Sequence, residues 1–328
     1  YTGGGCPHIL AEPQRTNLIE YSEDFSDSSW INTYIITPNS IISPDGTLNA
    51  YKITLGTGNG NLRTLNSVSS NTDYVFSFSA KRGTASEMKY RVFDFTNSGD
   101  IVSKTSYYSQ TNTDSWVRIE VPFTTGASTT SIGCYIDSDS QGNGDFYAWG
   151  AQLEESYATS YIPTSGSTVT RNQDQFTRDG IGSLINSPEG VLFVEMAALS
   201  NDSTRRTISL SDGTNTNRVV LRYDNANNRV QGFIQVGGAT NGNINDNSYT
   251  ITNFLKIAYK WKAGDFALWI NGTEVAVSTS ATSFGAGVLT QMQFNEGDGA
   301  GLEYFGKVKQ LQVYTTALTD EQLTSLTS

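Results

Sequence analysis

The feature that most constrains this chain is the alternation of apolar and polar residues in short segments. In "YVFSFSAKRG", residues 74–83, every second position from Tyr74 to Ala80 is aromatic or alanine. A two-residue repeat is the period of a β-strand with one buried face. The repeat recurs in "SWVRIEVPF" and "FLKIAYKWK", and turn-forming clusters separate such segments at the spacing of a β-sandwich. The pattern therefore predicts antiparallel strands that bury one face in a core.

The composition agrees with an all-β chain. The 328 residues include 31 glycines and 17 tyrosines, and only 16% of them are charged. One helix is predicted, in "ALTDEQLTSLTS", because Thr319 and Gln322 have the spacing of a capping box. The predicted fold class is all-β, with two tandem antiparallel β-sandwich (jelly-roll) domains and one short C-terminal helix.

The alternation stops in "YIPTSGSTVTRNQDQF", which is rich in small polar residues and contains a proline. This interruption predicts a domain boundary. The predicted order is an N-terminal lead at 1–16, a jelly roll at 17–160, a linker at 161–176 and a second sandwich at 177–328.

Charge, hydropathy and cysteine content exclude several classes of partner. The chain has 32 acidic and 21 basic residues, a net charge of −11, so a phosphate backbone would repel it and nucleic acid is excluded. No apolar run approaches the ~18 residues of a membrane span, which excludes membrane insertion. Cys6 and Cys134 can form a disulfide, but a free, partly buried Cys134 is the favoured interpretation.

The sequence also lacks the residues of most catalytic sites. The single histidine, His8, lies in the lead, so neither sandwich can contain a Ser-His-Asp triad or a zinc site with several histidines. No phosphate-binding or dinucleotide-binding glycine motif is present. We therefore predict no enzyme and no cofactor other than calcium, and a glycosidase or lyase based on carboxylates stays open as the alternative.

The second half resembles the concanavalin A-like, laminin-G-like fold. The resemblance is carried by "KWKAGDFALWINGTEV" and by "GKVKQLQVYTTALTDEQLTSL", a hairpin and a final strand that leads into a short helix. It implies a sandwich, but not one function, because this fold includes lectins, adhesins and spacers.

Three other segments resemble bacteriophage and prophage tail proteins. "LAEPQRTNLIEYSEDFSDSSW" is similar to the start of their carbohydrate-binding-type jelly roll, "FYAWGAQLEE" to its last strand, and "TSYIPTSGSTVTRNQDQF" to the linker that follows. The resemblance implies the distal portion of a longer tail fibre protein, with a start at Tyr1 inside it. It also implies other tail proteins as partners, a homotrimer, and a location on the virion or outside the cell.

Such jelly rolls often hold a structural calcium ion through carboxylates near the first and last strands. The resemblance places Asp24, Asp145 and Glu154 at those positions, and Glu296 and Asp298 form a weaker second set. The alternative for each is an acidic residue that caps its own turn.

Sugar binding requires an aromatic surface for the pyranose ring and planar polar groups for its hydroxyls. In the first domain the candidates are Tyr107 and Tyr108 in a loop, with Arg91 nearby. In the second, Trp269 is out of phase with its neighbours Leu268 and Ile270, and faces outward if they face the core.

The turns "SDGTNTNR" and "FNEGDGAG" add Asp212, Asn215 and Asn295 as sugar-binding candidates. Core packing for Trp269 and local turn chemistry for the other residues stay open. The remaining tryptophans are predicted to lie in the core: Trp30, Trp116, Trp149 and Trp261.

These observations predict non-catalytic binding of a cell-surface glycan, the receptor-binding or adhesion function of a phage tail or tail-like particle. Two alternatives stay open. The chain can be a structural spacer or decoration of a tail fibre, or the carbohydrate-binding accessory part of a secreted enzyme that degrades polysaccharides.

Overall fold

The structure, a computed structural model, describes residues 8–56, 60–138, 143–279, 281–299 and 301–328. The prediction for Cys6 falls outside these residues. Within the described ranges the strands are β1 (Ile9–Ala11), β2 (Arg15–Asn17), β3 (Trp30–Asn32), β4 (Ile35–Ile41), β5 (Ala50–Leu55), β6 (Asn61–Ser67), β7 (Asp73–Arg82), β8 (Lys89–Asp94), β9 (Gly99–Ser106), β10 (Val117–Thr124), β11 (Ser131–Ser138), β12 (Gly144–Glu155), β13 (Val169–Arg171), β14 (Thr177–Arg178), β15 (Glu189–Ala198), β16 (Arg206–Ser211), β17 (Arg218–Tyr223), β18 (Val230–Val236), β19 (Ala239–Asp246), β20 (Leu255–Lys262), β21 (Phe266–Ile270), β22 (Thr273–Ser278), β23 (Gln291–Gln293) and β24 (Gly306–Tyr314). One α-helix, α1 (Asp320–Thr327), follows. The predicted all-β fold class is confirmed.

The chain divides into two compact units. The first sandwich is Gln14–Asn172, and the second is Gln173–Ser328 together with the N-terminal segment up to Pro13. The division at Asn172 lies inside the segment 161–176, where the sequence predicts a boundary. That segment contains β13, which pairs with β2 in the first sandwich.

In the first sandwich, two five-stranded antiparallel sheets enclose a core. Their strand orders are β10-β7-β12-β5-β4 and β3-β6-β11-β8-β9. The alternation predicts the buried face correctly, since Tyr74, Phe76, Phe78 and Ala80 of β7 all lie in this core. Cys134 of β11 is buried there and free, as predicted.

The second sandwich has two six-stranded sheets, β1-β24-β15-β20-β21-β22 and β14-β23-β16-β17-β18-β19. Leu255, Ile257, Tyr259 and Trp261 of β20 face the core, as the alternation predicts. The turn at Asn271 is tight because both Asn271 (φ 49°) and Gly272 (φ 81°) adopt left-handed backbone conformations.

The N-terminal strand belongs to the second sandwich, although the first sandwich follows it in sequence. Residues Ile9–Ala11 pair with Gly306–Val308 of β24 at the edge of a sheet. The backbone N–H of Glu12 donates to Asp174 Oδ2 at 2.9 Å, and the Asp174 N–H donates to the Glu12 carbonyl at 2.9 Å. The two points at which the chain passes between units are therefore hydrogen-bonded to each other.

Helix α1 begins with the predicted capping box. The Gln322 N–H donates to the Thr319 hydroxyl at 3.4 Å, and the Thr319 N–H donates to Gln322 Oε1 at 2.9 Å. Leu323 of the helix packs on the outer face of the sheet that contains β20 and β21, in a cluster with Phe193 and Trp269.

Three of the four tryptophans predicted to be core are buried: Trp30, Trp149 and Trp261. The prediction for Trp116 is wrong, because this residue is only half-buried. It precedes β10, and its indole N–H donates to the Ile42 carbonyl at 2.9 Å. The alternation within the strand therefore does not fix its orientation.

We expect Gly190→Ala to destabilise the second sandwich. A Cβ atom at Gly190 would lie 2.6 Å from Cζ2 of Trp261 and 2.5 Å from the Tyr314 carbonyl oxygen. Overpacking of this kind typically costs about 1–3 kcal/mol. Urea unfolding and amide exchange in β15 and β20 measure the loss. Gly285→Ala is the control, because nothing lies within 4 Å of its Cβ position; equal behaviour of the two variants would contradict the packing argument.

Candidate functional site

In the second sandwich, the sheet β14-β23-β16-β17-β18-β19 carries a regular set of polar side chains on its outer face, along β17 and β18. Along β17, Val219 and Leu221 face the core, so Arg218 and Arg222 face away from it. On β18, Gln235 lies directly opposite Arg218 and Gln231 directly opposite Arg222. We call this surface the arginine face: Arg205, Arg218, Arg222, Gln231, Phe233, Gln235, Thr240, Asn243 and Glu296.

Each arginine of β17 is fixed by the glutamine opposite it. Arg218 Nε donates to Gln235 Oε1 at 2.6 Å, and Arg222 Nε donates to Gln231 Oε1 at 2.7 Å. Gln231 Nε2 in turn donates to Asn243 Oδ1 on β19 at 2.8 Å. A guanidinium held at Nε keeps its Nη groups in a defined plane, as recognition of a planar anion requires.

Phe233 lies between the two arginines on this face. Its ring centroid is 5.8 Å from Cζ of Arg218 and 5.0 Å from Cζ of Arg222, within the range of a cation–π interaction. Arg218 is only 6% exposed and Arg222 only 7%. The arginines therefore cover the ring, and Phe233 orients them instead of offering an open surface to a sugar.

Glu296 reaches the same arginines from the loop after β23. Its Oε1 accepts from Nη1 of Arg222 at 3.0 Å, and its Oε2 lies 3.3 Å from Nη1 of Arg218. The Glu296 carbonyl also accepts from Nη1 of Arg218 at 2.5 Å. Nη2 of Arg218 has no hydrogen-bond partner among the described residues, so it is available to a ligand.

Asp224 supplies the second carboxylate. It pairs with Arg222 at 3.1 Å, with Arg205 at 2.8 Å and with Arg229 at 3.6 Å. Burial raises the pKa of Asp224, but the Asn225 N–H and the charges of Arg222 and Arg205 outweigh it, so the pKa is lowered overall.

The charges on this face do not balance. Among the described residues, Glu296 and Asp224 pair with four arginines, which are Arg205, Arg218 and Arg222 of the face and Arg229 beside Asp224, whereas the whole chain carries a net charge of −11. Burial is the main cause that lowers the pKa of Arg222, and the charges of Arg205 and Arg218 add to it. A bound anion would offset this repulsion, so the face is suited to an anionic ligand.

The arginine face encloses a depression of about 280 Å³. This volume lies just below the range of about 300–1,000 Å³ that is typical of ligand pockets, so it suits a small ligand. Six of its nine lining residues carry guanidinium or amide groups, which hydrogen-bond hydroxyl and carboxylate oxygens, and Phe233, Thr240 and Glu296 complete the lining.

Of the predicted residues in the loops of this sandwich, only Glu296 contributes to the arginine face. Asp212 accepts from the N–H and hydroxyl of Thr214 and from Asn217 Nδ2, within its own turn. Asn295 Oδ1 accepts from the Gly297 N–H at 2.8 Å. Asn215 and Asp298 are exposed in their turns. Glu296 is paired with Arg218 and Arg222, and the weaker metal set of Glu296 and Asp298 stays a prediction.

The prediction that Trp269 forms a sugar platform is wrong. Its side chain does face away from the main core, as its phase predicts, but helix α1 covers that face. Trp269 is consequently only 6% exposed, among Val191, Phe193 and Leu323.

Tyr107 is also not a platform. It is fully buried in the first sandwich, its hydroxyl donates to the Ile136 carbonyl at 3.0 Å, and burial raises the pKa of its phenol well above the usual value. The Tyr108 ring is partly covered by the Arg82 guanidinium, 4.3 Å from its centroid. Arg91 is not paired with either tyrosine and donates to Asp100 at 2.5 Å.

The predicted calcium ligands of the first sandwich do not meet. Asp145 and Glu154 lie at opposite ends of β12, roughly 30 Å apart at the rise of a strand. Asp24 accepts from Ser26 and Tyr51, Asp145 from Thr84, and Glu154 from Thr159. Across the described residues, no group of three or more His, Cys, Asp or Glu side chains is placed to hold a metal ion.

The arginine face itself was missed at the level of sequence, although a signal for it exists. In "NRVVLRYD" the two arginines are four residues apart, in phase with each other and out of phase with Val219 and Leu221. "NRVQGFIQV" places Gln231, Phe233 and Gln235 in one phase. Charged and amide residues at the outward-facing positions of two adjacent strands therefore indicate such a face.

The chain is similar to several solved structures at low identity. The CBM40 domain of Ruminococcus gnavus IT-sialidase bound to α2,3-sialyllactose shares 17% identity over 47% of this chain and 93% of that chain, with a TM-score of 0.40. Domain 4 of a GH43 extracellular arabinanase from Geobacillus stearothermophilus, in complex with arabinotriose, shares 15% identity over 53% of this chain and 83% of that chain, with a TM-score of 0.38. A heptameric SAP-like pentraxin from Limulus polyphemus shares 16% identity over 47% of this chain and 76% of that chain, with a TM-score of 0.35. No protein-family model and no curated protein sequence matches the chain.

No helix in the described ranges has the length and apolarity required to cross a membrane.

We expect Asp224→Asn to destabilise the second sandwich in a manner that depends on pH. The pKa of Asp224 is lowered in the folded state, so its stabilising effect is complete above the unfolded pKa of about 4 and is lost as the pH falls through the folded pKa. At pH 7 the variant should be less stable by about 1–3 kcal/mol, because Arg222 loses a charged partner. Unfolding free energies of both proteins between pH 7 and pH 2 measure this difference, which should shrink at acidic pH. A difference that does not change with pH would contradict the assignment.

Proposed function

We propose that this chain is a non-catalytic glycan-binding module and that the arginine face of the second sandwich recognises an acidic cell-surface polysaccharide. The observation that carries the proposal is the pair Arg218 and Arg222, each fixed by an opposite glutamine and both lining one depression. Two guanidinium groups held in this way provide paired donors for a carboxylate. Gln231, Gln235 and Asn243 provide further groups for sugar hydroxyls.

Glu296 has a specific role in this proposal. In the structure its carboxylate accepts from the arginines that a ligand would use. It thereby satisfies buried cations while no ligand is bound, since an unpaired buried charge is costly. A sugar carboxylate would replace it at the same donors.

The setting that we propose is the distal part of a bacteriophage tail or a related particle, on the virion or outside the cell, with other tail proteins as partners. Its support is the resemblance of the segments at residues 10–30, 146–155 and 159–176 to tail proteins. If the chain is part of a homotrimer, three weak sites on one particle add through effective concentration, so a single site need not bind tightly.

The first test is affinity electrophoresis of the chain through gels that contain bacterial and algal polysaccharides, with a reducing-end assay on the same samples. Retardation by acidic polysaccharides without new reducing ends supports the proposal. Cleavage would contradict a non-catalytic role, and no retardation even of a trimerised chain would favour a structural spacer.

We expect Arg222→Ala to weaken binding of the acidic polysaccharide by at least about tenfold, because a charged hydrogen bond contributes about 1.5–3 kcal/mol. The change is measured by titration calorimetry. Arg178→Ala is the control, since it removes the same charge from the same sandwich and Arg178 is exposed on β14. Equal losses for the two variants would indicate attraction by net charge alone.

We expect Glu296→Gln to strengthen binding of the acidic polysaccharide by about two- to fivefold, the equivalent of about 0.5–1 kcal/mol for a partly exposed ion pair. The cause is the loss of the carboxylate that competes with the ligand. The same titration with a neutral polysaccharide should show no gain. Weaker binding of the acidic ligand by this variant would show that Glu296 supports the ligand instead of competing with it.

A further inference from the structure

The first sandwich contains a second set of arginines and aromatic rings, on the outer face of the sheet β3-β6-β11-β8-β9. On β11, Ile132, Cys134 and Ile136 face the core, so Gly133 and Tyr135 face outward. We call the surface around them the Arg63 face: Arg63, Leu65, Arg91, Phe93, Phe95 and Tyr135.

The register of the sheet alternates cations and rings across this face. Tyr135 lies opposite Arg63 on β6 and opposite Arg91 on β8. Cζ of Arg63 is 5.4 Å from the Tyr135 centroid and 4.8 Å from that of Phe95. Cζ of Arg91 is 5.5 Å from the Tyr135 centroid and 4.4 Å from that of Phe93. Each guanidinium is therefore held by two rings.

Gly133 makes this arrangement possible. A Cβ atom there would lie 2.7 Å from Cε2 of Phe95 and 3.1 Å from Cε2 of Tyr135. The Phe95 ring therefore lies directly over the glycine, where it contacts Phe93 edge-on at 4.9 Å between centroids. Both Phe95 and Leu65 stay open to solvent, at 38% and 48% exposure.

The two arginines differ in charge balance. Arg91 is neutralised by Asp100, with Nε at 2.5 Å from Oδ1. Arg63 forms no ion pair and no side-chain hydrogen bond with the described residues, and its Nε and Nη1 are enclosed without a partner. Cation–π contacts offset only part of the desolvation of a guanidinium. Arg63 is thus a positioned, uncompensated cation on a chain whose net charge is −11.

We propose that the Arg63 face is a second glycan site, which takes a carboxylated sugar residue of an acidic polysaccharide. The sugar carboxylate pairs with Nη2 of Arg63, which is not among its enclosed nitrogen atoms, and the apolar face of the ring packs on the exposed Phe95 and Leu65. The charge of Arg63 selects the acidic group, and the exposed apolar surface beside it selects a sugar ring over a small inorganic anion. This site is on a different sandwich from the arginine face and does not depend on it.

The test uses the whole chain with Arg222→Ala, so that binding by the arginine face is already weakened by at least about tenfold. Titration with polygalacturonate, a polysaccharide of carboxylated sugars, should show residual binding that Arg63→Gln weakens by about tenfold. The matched control is Arg15→Gln, because Arg15 also lies over a ring, that of Tyr157 at 4.7 Å, but is on β2. Methyl-esterified polygalacturonate should not distinguish Arg63→Gln from its parent.

A second variant keeps the test decisive if Arg63→Gln unfolds. Leu65→Glu changes an exposed residue of the same face and places a negative charge beside Arg63, so it should also weaken binding by about fivefold or more. Unchanged binding by a folded Arg63→Gln, or by Leu65→Glu, would overturn the second site. That result would leave the arginine face untouched, because Arg222→Ala in the otherwise unchanged chain tests it separately. Competition by inorganic phosphate as effective as that by galacturonate would also overturn the assignment to a sugar.

Discussion

The two-residue repeat of the β-strand is the constraint on which both sandwiches depend. It requires successive side chains to point to opposite faces, so a strand that packs a core with one phase must present something else with the other. In β17, Val219 and Leu221 pack the core, and the same backbone holds Arg218 and Arg222 outward at a fixed separation. In β11, Ile132 and Cys134 are inward, and Gly133 and Tyr135 are outward. Core packing therefore determines which side chains each candidate binding face presents to solvent.

The same constraint explains which parts of the structure could be predicted from the sequence. The phase of β7 and β20 is readable because aromatic and aliphatic residues occupy every second position, and both strands bury those residues. The capping box at Thr319 is readable because its hydrogen bonds are local. Phase alone also placed Trp269 correctly on the outer face of its sheet.

What the sequence did not reveal is which outer faces are covered. Helix α1 lies far from Trp269 in sequence but packs on it, and this contact depends on the whole sandwich. Tyr107 is a second example, because it belongs to a loop-like segment but its side chain lies in the core. The Tyr107 hydroxyl donates to the Ile136 carbonyl there. The carboxylates predicted to bind calcium do not lie together for a related reason. A position near the first or last strand does not bring their side chains to one point, and Asp145 and Glu154 lie at opposite ends of β12. Arginines that bind glutamines on the adjacent strand become recognisable only when the register of that strand is known.

The position of β1 has a consequence for the order in which the protein is built. Its partner β24 lies after the whole first sandwich in sequence, so the edge of that sheet stays incomplete until the first sandwich and most strands of the second have been synthesised. A disordered insert of the length of Gln14–Asn172 would impose a loop-closure cost of roughly 4–5 kcal/mol on the pairing of β1. If the inserted sandwich folds first, the free energy of its own core offsets this loop-closure cost. Glu12 and Asp174 are then already close to each other when their hydrogen bonds form. Folding of the first sandwich would thereby bring Glu12 and Asp174 close together before β24 is made.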